Sequence, residues 1–301
     1  MIVKLPRNLN LENVIQVVNE TISLERLPKD ITIEFDFTNL NFIEPAGLTA
    51  LSNIIEFLAK NKVRIGFNVD RSRAYYTQSV IRYLDDANFF QKYTGSKLNQ
   101  ASSLRKTTLA LETIKIEDSF QWIEQNLLPW IRIQIGLGAY ANLETMKLCM
   151  MEIFNNISDH SFENIACLYA QHFPRWNQIK IAISDFGIGI PTNIRKEIHC
   201  DLDSFALRKS VEEGFSTKSI PTNRGAGLDI LRKNVVVNNE GSMTILSNKG
   251  KLEISKDISL HNSSKFIESN NFLSEYPGTL IHLIINTDRY LGDEEEEDFT
   301  W

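Results

Sequence analysis

Cysteine is scarce in this 301-residue chain, and its placement excludes two architectures. Cys149, Cys167 and Cys200 are odd in number, widely spaced and free of any Cys-x-x-Cys pair, so neither a disulfide framework nor a zinc site is expected. Long apolar runs are missing too. None approaches the ~18 residues that a membrane span needs, and the opening MIVKLPRNLNLENV holds no apolar core with a cleavage site. Nor is there an excess of basic charge. Six of the 38 acidic residues lie in 293–298, which leaves 32 to balance the 32 lysines and arginines. A neutral body gives no electrostatic case for wrapping nucleic acid. These absences predict a cytoplasmic protein in a reducing compartment, with no membrane segment and no nucleic-acid partner indicated.

The common nucleotide-binding signatures are also absent. Asp185-Phe186-Gly187 is the tripeptide by which protein kinases hold magnesium, yet the Gly-rich loop, the Val-Ala-Ile-Lys strand and the His-Arg-Asp segment that should accompany it are not here. No Walker-type Gly-x4-Gly-Lys-Ser/Thr loop occurs, and GLGAYA (136–141) lacks the third glycine and the preceding strand of a dinucleotide fingerprint. No internal repeat is present, and the acidic tail is the one low-complexity segment.

What is present is a well-cored globular composition, 43% hydrophobic and 10% aromatic, on a chain long enough for two ordinary domains. In the first half ITIEFDF (31–37) alternates as a strand should, and GLTALSNIIEFLAKN (47–61) sets Leu48, Leu51, Ile54, Ile55 and Leu58 at helical spacing. KVRIGFNV (62–69) is strand-like again and YTQSVIRYLDDANFF (76–90) helical again. That β-α-β-α order predicts a small sheet covered by helices, because such strands need crossovers of about this length. TGSKLNQASS (94–103) is polar and aperiodic and marks a boundary.

Beyond it, strands are expected at 107–116, 165–173, 178–186, 242–248, 251–255 and 278–285, with helices near 119–128, 143–160 and within 194–237. Several mixed strands beside a few helices predict an α/β two-layer sandwich. The organisation expected is an α/β domain over 1–95, a linker over 96–106, a second α/β domain over 107–290 and a solvated acidic tail over 291–301.

Three stretches carry candidate chemistry. In LETMKLCMMEIFNNISDHSF (143–162) Leu143, Met146, Met150, Ile153 and Ile157 share one helix face, and Glu152, Asn156 and Asp159 or His160 form a polar stripe about 100° round from it. A solvated face explains such a stripe, but two adjacent asparagines are poor helix formers, at roughly half a kcal/mol each. The alternative is a site in which the Asn156 amide oxygen serves magnesium alongside phosphate oxygens and Glu152 accepts a proton from an attacking hydroxyl or water. Next, QIKIAISDF delivers Asp185 at a strand end, and Gly187 and Gly189 then permit a close turn. This is either a decorated turn or a carboxylate that reads the amino group of a purine. Third, Gly214, Ser216, Thr217 and Lys218 precede Pro221, and Arg224-Gly225-Ala226-Gly227 opens a helix with Leu228, Leu231 and Val235 inward. Glycines opening a helix make a phosphate cradle from outward-pointing N–H groups.

In this order the stretches resemble the ATPase domain shared by gyrase-type topoisomerases, heat-shock chaperones, sensor histidine kinases and mismatch-repair proteins, the GHKL superfamily with its Bergerat fold. The family's Glu/Asn helix, Asp-x-Gly-x-Gly turn and glycine-rich box after a lid look like EIFNNISDH, DFGIGIP and RGAGLDIL, and Gly278-Thr279 opens the last strand where the family places a threonine near adenine. The resemblance spans roughly residues 115 to 290. It implies Glu152 as general base, Asn156 as Mg2+ ligand and Asp185 at the adenine amino group, with Gly187 and Gly189 shaping the pocket floor and Thr279 beside the base. Ser216, Thr217, Lys218, Arg224, Gly225, Gly227 and Leu228 would surround the triphosphate. Asp229 stands where many members carry glycine, a departure shared by the anti-sigma-factor serine kinases.

FDFTNLNFIEPAGLTALSNII (35–55) resembles the strand-loop-helix element of STAS domains, the module of anti-sigma-factor antagonists. That element carries a phosphorylatable serine, whereas Glu44-Pro45-Ala46-Gly47 offers no hydroxyl, so this half is expected to be a docking platform. Together the resemblances imply an ATP- and Mg2+-dependent ATPase acting as a nucleotide switch, which passes lid closure to a protein partner, such as another STAS-type protein, through its STAS-like half. The alternatives are a protein serine/threonine kinase of the anti-sigma type and an ATP-binding module without turnover; the presence of Glu152 speaks against the second. A histidine kinase is disfavoured because all five histidines lie at or after the Glu/Asn helix. Members of the superfamily often act as homodimers, although no heptad or apolar stripe here argues for one.

Overall fold

The computed structural model describes residues 1–70, 80–137, 143–160, 165–213, 227–257, 263–271 and 273–290, with the backbone alone at 158–160 and 165. The acidic tail lies outside these residues. The chain opens with β1 (Ile2–Lys4), β2 (Asn8–Leu9), α1 (Val14–Thr21), β3 (Thr32–Asp36), β4 (Phe42–Ile43), α2 (Pro45–Lys60), β5 (Arg64–Asn68), α3 (Val80–Asp86) and α4 (Phe89–Thr94). β1 and α1 precede the expected β-α-β-α series; at three residues β1 is too short to show a period. β1, β3 and β5 form a parallel sheet with β3 in the centre. The single helix expected over 76–90 is broken at Asn88, whose left-handed backbone (φ 65°) separates α3 from α4.

α2 is the centre of the molecule. A helix lying on the surface of one sheet keeps a polar outer face, yet every residue from Pro45 to Ile55 is buried. Leu48, Leu51 and Ile55 belong to the apolar core of the N-terminal half, and that same core takes in Tyr169, Ala182, Phe186, Leu246, Tyr276 and Leu280 from the second half. The residues that would have made a solvent face, Thr49, Ser52 and Asn53, are at most 5% exposed.

The second half contributes β6 (Thr108–Lys115), α5 (Ser119–Trp122), α6 (Leu128–Ile135), α7 (Glu144–His160), β7 (Ile165–Phe173), β8 (Gln178–Asp185), α8 (Ile190–Glu197), α9 (Asp203–Ser210), α10 (Gly227–Arg232), β9 (Ser242–Asn248), β10 (Gly250–Lys256), β11 (Ser264–Asn270) and β12 (Tyr276–Asn286). Seven strands form one sheet in the order β11-β10-β9-β12-β8-β7-β6. Every pairing in it is antiparallel, which corrects the expectation of mixed strands. The hairpins explain this: Asn177 (φ 49°) and Asn248 (φ 51°) take the left-handed turn positions after β7 and at the end of β9, where asparagine is tolerated better than most residues.

Alternation along the strands gives the sheet two distinct faces. Ile179, Ile181 and Ile183 of β8 join Met243, Ile245, Ile281, Leu283 and Ile285 in a core with α7 and α10. The intervening residues face α2. The segment between the halves is anchored: the Asp85 carboxylate accepts the N–H groups of Leu98 and Asn99 at 3.0 and 2.9 Å, and Arg105 Nε donates to Asp86 at 3.0 Å. All three cysteines are free and buried, and among the described residues no helix is long and apolar enough to cross a membrane.

Candidate functional site

α7 is held to the sheet by its apolar stripe, since Leu143, Met146, Met150, Ile153 and Ile157 are all at most 6% exposed. One step round the helix, Glu152 and Asn156 are half-buried while Asn155 is exposed. The two asparagines therefore differ in kind: Asn155 faces water, and Asn156 lies along the seam beside the core. α10 lies across this seam. A Cβ at position 227 would come within 1.7 Å of Glu152 Cγ, so only glycine lets the start of α10 rest on the glutamate side chain. Leu228, Leu231 and Val235 then pack inward, each at most 5% exposed. Glu152 and Gly227, 75 positions apart in sequence, are in direct contact.

Asp185 is the last residue of β8 and is 5% exposed. It continues the alternation of Ile181 and Ile183, so it projects from the α7 face of the sheet. Its Oδ1 accepts the Gly187 N–H at 2.6 Å, which closes a tight turn. Directly across the sheet is Thr279 of β12, 8% exposed, and residues paired this way share a face. Thr279 reaches this register through a bulge at Pro277-Gly278, where a proline without an N–H costs no ladder bond. Gly278 has φ 96°, and a Cβ there would stand 2.3 Å from the Asp185 carbonyl oxygen.

Two further residues brace the turn. Ser247 Oγ donates to the Gly278 carbonyl at 2.6 Å, accepts the Ile190 N–H at 3.0 Å and lies 3.1 Å from Thr279 Oγ1. A serine hydroxyl has one proton, so the bond to Gly278 makes Thr279 the donor toward Ser247. The lone pairs of Thr279 Oγ1 are thereby its remaining hydrogen-bonding capacity, directed to the side of the sheet that Asp185 occupies. Asn248 Nδ2 donates to the Ile188 carbonyl at 3.3 Å and to Thr192 Oγ1 at 3.1 Å. Gly189 (φ 84°) sits so close that a Cβ would lie 2.5 Å from Asn248 Oδ1. Sequence reasoning found the glycines of this turn and missed Ser247 and Asn248. The only signal was the Ser-Asn pair at the end of a strand, which reads as an ordinary turn.

The sequence matches no protein-family model, and no curated protein matches it. The site therefore rests on its own geometry. Glu152 and Gly227 meet where α7 and α10 touch, with Asn156 one turn further along α7 and Leu228 next on α10; Asp185 and Thr279 face each other at the β8–β12 end, with Gly187 and Gly189 in the turn that follows, and the Asp185–Thr279 pair is on the α7 face of the sheet. Ser216, Thr217, Lys218, Arg224 and Gly225 lie outside the described residues, as do the side chains of Asp159 and His160. Among the described residues no group of three or more histidine, cysteine, aspartate or glutamate side chains could hold a metal by itself. A cation at Asn156 would draw its other oxygens from the ligand and from water. Magnesium commonly binds in this way, through few protein ligands and several phosphate or water oxygens.

Proposed function

We propose that the chain is an ATP- and magnesium-binding ATPase that acts as a nucleotide-dependent switch on a protein partner, with the base at the β8–β12 end and the triphosphate over the start of α10. One observation carries this reading. The buried carboxylate of Asp185 and the acceptor side of Thr279 share the sheet face on which Gly227 brings a glycine-opened helix against Glu152. Acceptors placed side by side suit an amino group on a purine, and a glycine-opened helix start suits phosphate. The donor set fits the group: Asn156 would hold magnesium, which when bound offsets the negative charge of the phosphates. Glu152 takes the proton of the attacking water as its oxygen bonds to the terminal phosphorus and the bond to the leaving diphosphate breaks.

The N-terminal half supplies the path to a partner, since α2 lies against the back of the same sheet. The test is the full chain with ATP and MgCl2. Glu152→Ala should retain ATP binding and lose about 10²–10⁴-fold in turnover, the usual contribution of a general base. Asn156→Ala should lose the magnesium-dependent part of ATP binding. Unchanged affinity and turnover in both variants would sink the assignment. Labelled ATP separates release of free phosphate, which this reading requires, from a labelled protein band, which marks a kinase.

A further inference from the structure

The Asp185–Gly189 turn is gripped from the N-terminal half by the side chain of Arg26. Arg26 stands on the short turn between α1 and β3, where Ser23 N–H donates to the Leu27 carbonyl at 2.8 Å and Arg26 N–H to the Ser23 carbonyl at 3.0 Å. Its backbone is left-handed, with φ 58°, a region that few residues other than glycine enter. From there the guanidinium reaches across the molecule. Nη1 donates to the Gly187 carbonyl at 2.9 Å, Nη2 donates to Asn248 Oδ1 at 3.1 Å, and Nε lies 3.5 Å from Glu275 Oε1. The planar fork thus holds the turn, the end of β9 and the approach to β12 at once, a task for which guanidinium geometry is suited and a point-charge ammonium is not.

The peptide units on both sides of Gly187 are fixed by this arrangement. Its N–H is bound to Asp185 Oδ1 at 2.6 Å and its carbonyl to Arg26 at 2.9 Å. The N–H bond orients Asp185 Oδ1, and the Arg26 bond to the Gly187 carbonyl holds the next peptide unit of the same turn. The other side of the turn is held from the same half. Phe186 points away from Asp185 and packs edge-on against Phe57 of α2 and Tyr276, with ring centroids 5.6 Å apart in both pairs.

We propose that Arg26 is a positioning residue for the base-reading end of the site: it holds the Asp185 carboxylate, through the Gly187 peptide, at the angle that selects adenine, and so makes nucleotide selectivity a property of contact between the two halves. This rests on the ATP-binding function proposed above. Reciprocity follows from linkage, since whatever draws the Ser23–Leu27 turn away from Gly187 weakens adenine binding by the same factor by which adenine opposes that withdrawal.

The experiment titrates the full chain, Arg26→Ala and Arg26→Lys calorimetrically with ATP, GTP and inorganic tripolyphosphate in MgCl2, with a thermal melt of each variant. Arg26→Lys keeps the stem and the charge and lacks the fork, so it carries the test if the alanine variant fails to fold. The expected result is a loss of at least fivefold in the ATP-to-GTP affinity ratio in both variants, with tripolyphosphate affinity unchanged. A parallel loss for all three ligands, or no change for any, overturns the proposal while the ATP-binding function proposed for the wild-type chain stands. A wild-type chain that binds ATP no better than GTP overturns the base-reading function first, and the role of Arg26 with it.

Discussion

The two faces of the seven-stranded sheet bury comparable strands by different means. On the α7 face the contacts are aliphatic: Ile179, Ile181, Ile183, Met243, Ile245, Ile281, Leu283 and Ile285 meet helices whose inward residues are themselves apolar. On the α2 face polar groups meet in pairs, apart from His282 Nε2. Asn53 Nδ2 donates to Ser184 Oγ at 2.9 Å, Ser184 and Tyr276 share a hydrogen bond, Ser52 Oγ donates to Cys167 Sγ at 3.5 Å, and Lys180 lies 3.5 Å from Glu44. Apolar packing is non-directional and tolerates sliding, whereas matched hydrogen bonds fix register because an unmatched buried group is costly. The face that carries the site is therefore braced from behind by the more directional of the two interfaces.

The largest expected effect lies on the aliphatic face. Ile181 is fully buried, so Ile181→Ala should cost about 2–5 kcal/mol of unfolding free energy, transfer and cavity together, measured by urea denaturation. A loss below 1 kcal/mol would mean that α7 and α10 close over the gap and that this face is not a packed core.

The α2 face is distinguished next by pH. His282, 4% exposed, shares that face with Ala182 and Leu280, and its Nε2 finds no partner among the described residues. Burial, and then the charge of Lys180, push its pKa from 6.5 down to about 4. A depressed histidine pKa means that the unfolded chain takes up the proton first, so stability is full above pH 6.5 and falls as the pH drops toward 4. The loss is up to about 3 kcal/mol for this group alone. Thermal melts across that range should show a smaller acid loss in His282→Gln than in wild type; parallel curves would remove His282 as the cause.

The two faces were also unequally legible in the sequence. The stripe of α7 is one-sided, so its 3.6-residue period showed both the core residues and the seam residues Glu152 and Asn156. α2 is buried all round, and there the period misleads, because Thr49, Ser52 and Asn53 resemble a solvent face until the second half is laid against them. Strand ends with glycine, such as Asp185 to Gly189, stood out because turns need those residues. β11 was missed because SKFIESN is mostly exposed, with Ile267 at 51%, and so lacks alternation. Arg26, 161 positions from Gly187, had no local signal at all, since nothing in a short window marks a side chain whose partners are set by the packing of two halves.

The smallest effect is the most discriminating. Asn53→Ala removes one donor from Ser184 while the Tyr276 hydroxyl remains, so the expected cost is about 1 kcal/mol, the net value of one buried hydrogen bond with its acceptor still partnered. Ser184→Ala should cost more, about 1–3 kcal/mol, because it takes a partner from both Asn53 and Tyr276. If the α2 face is held by matched pairs, the double variant should lose less than the sum of the two, with a coupling of at least about 0.5 kcal/mol, because the second substitution removes a bond that the first has already broken. Strict additivity would mean that Asn53 and Ser184 are each held by their own neighbours. The α2 face would then owe its fixed register to the Ser52–Cys167 and Lys180–Glu44 pairs and to the rings of Phe57, Phe186 and Tyr276, with no share from the Asn53–Ser184 bond.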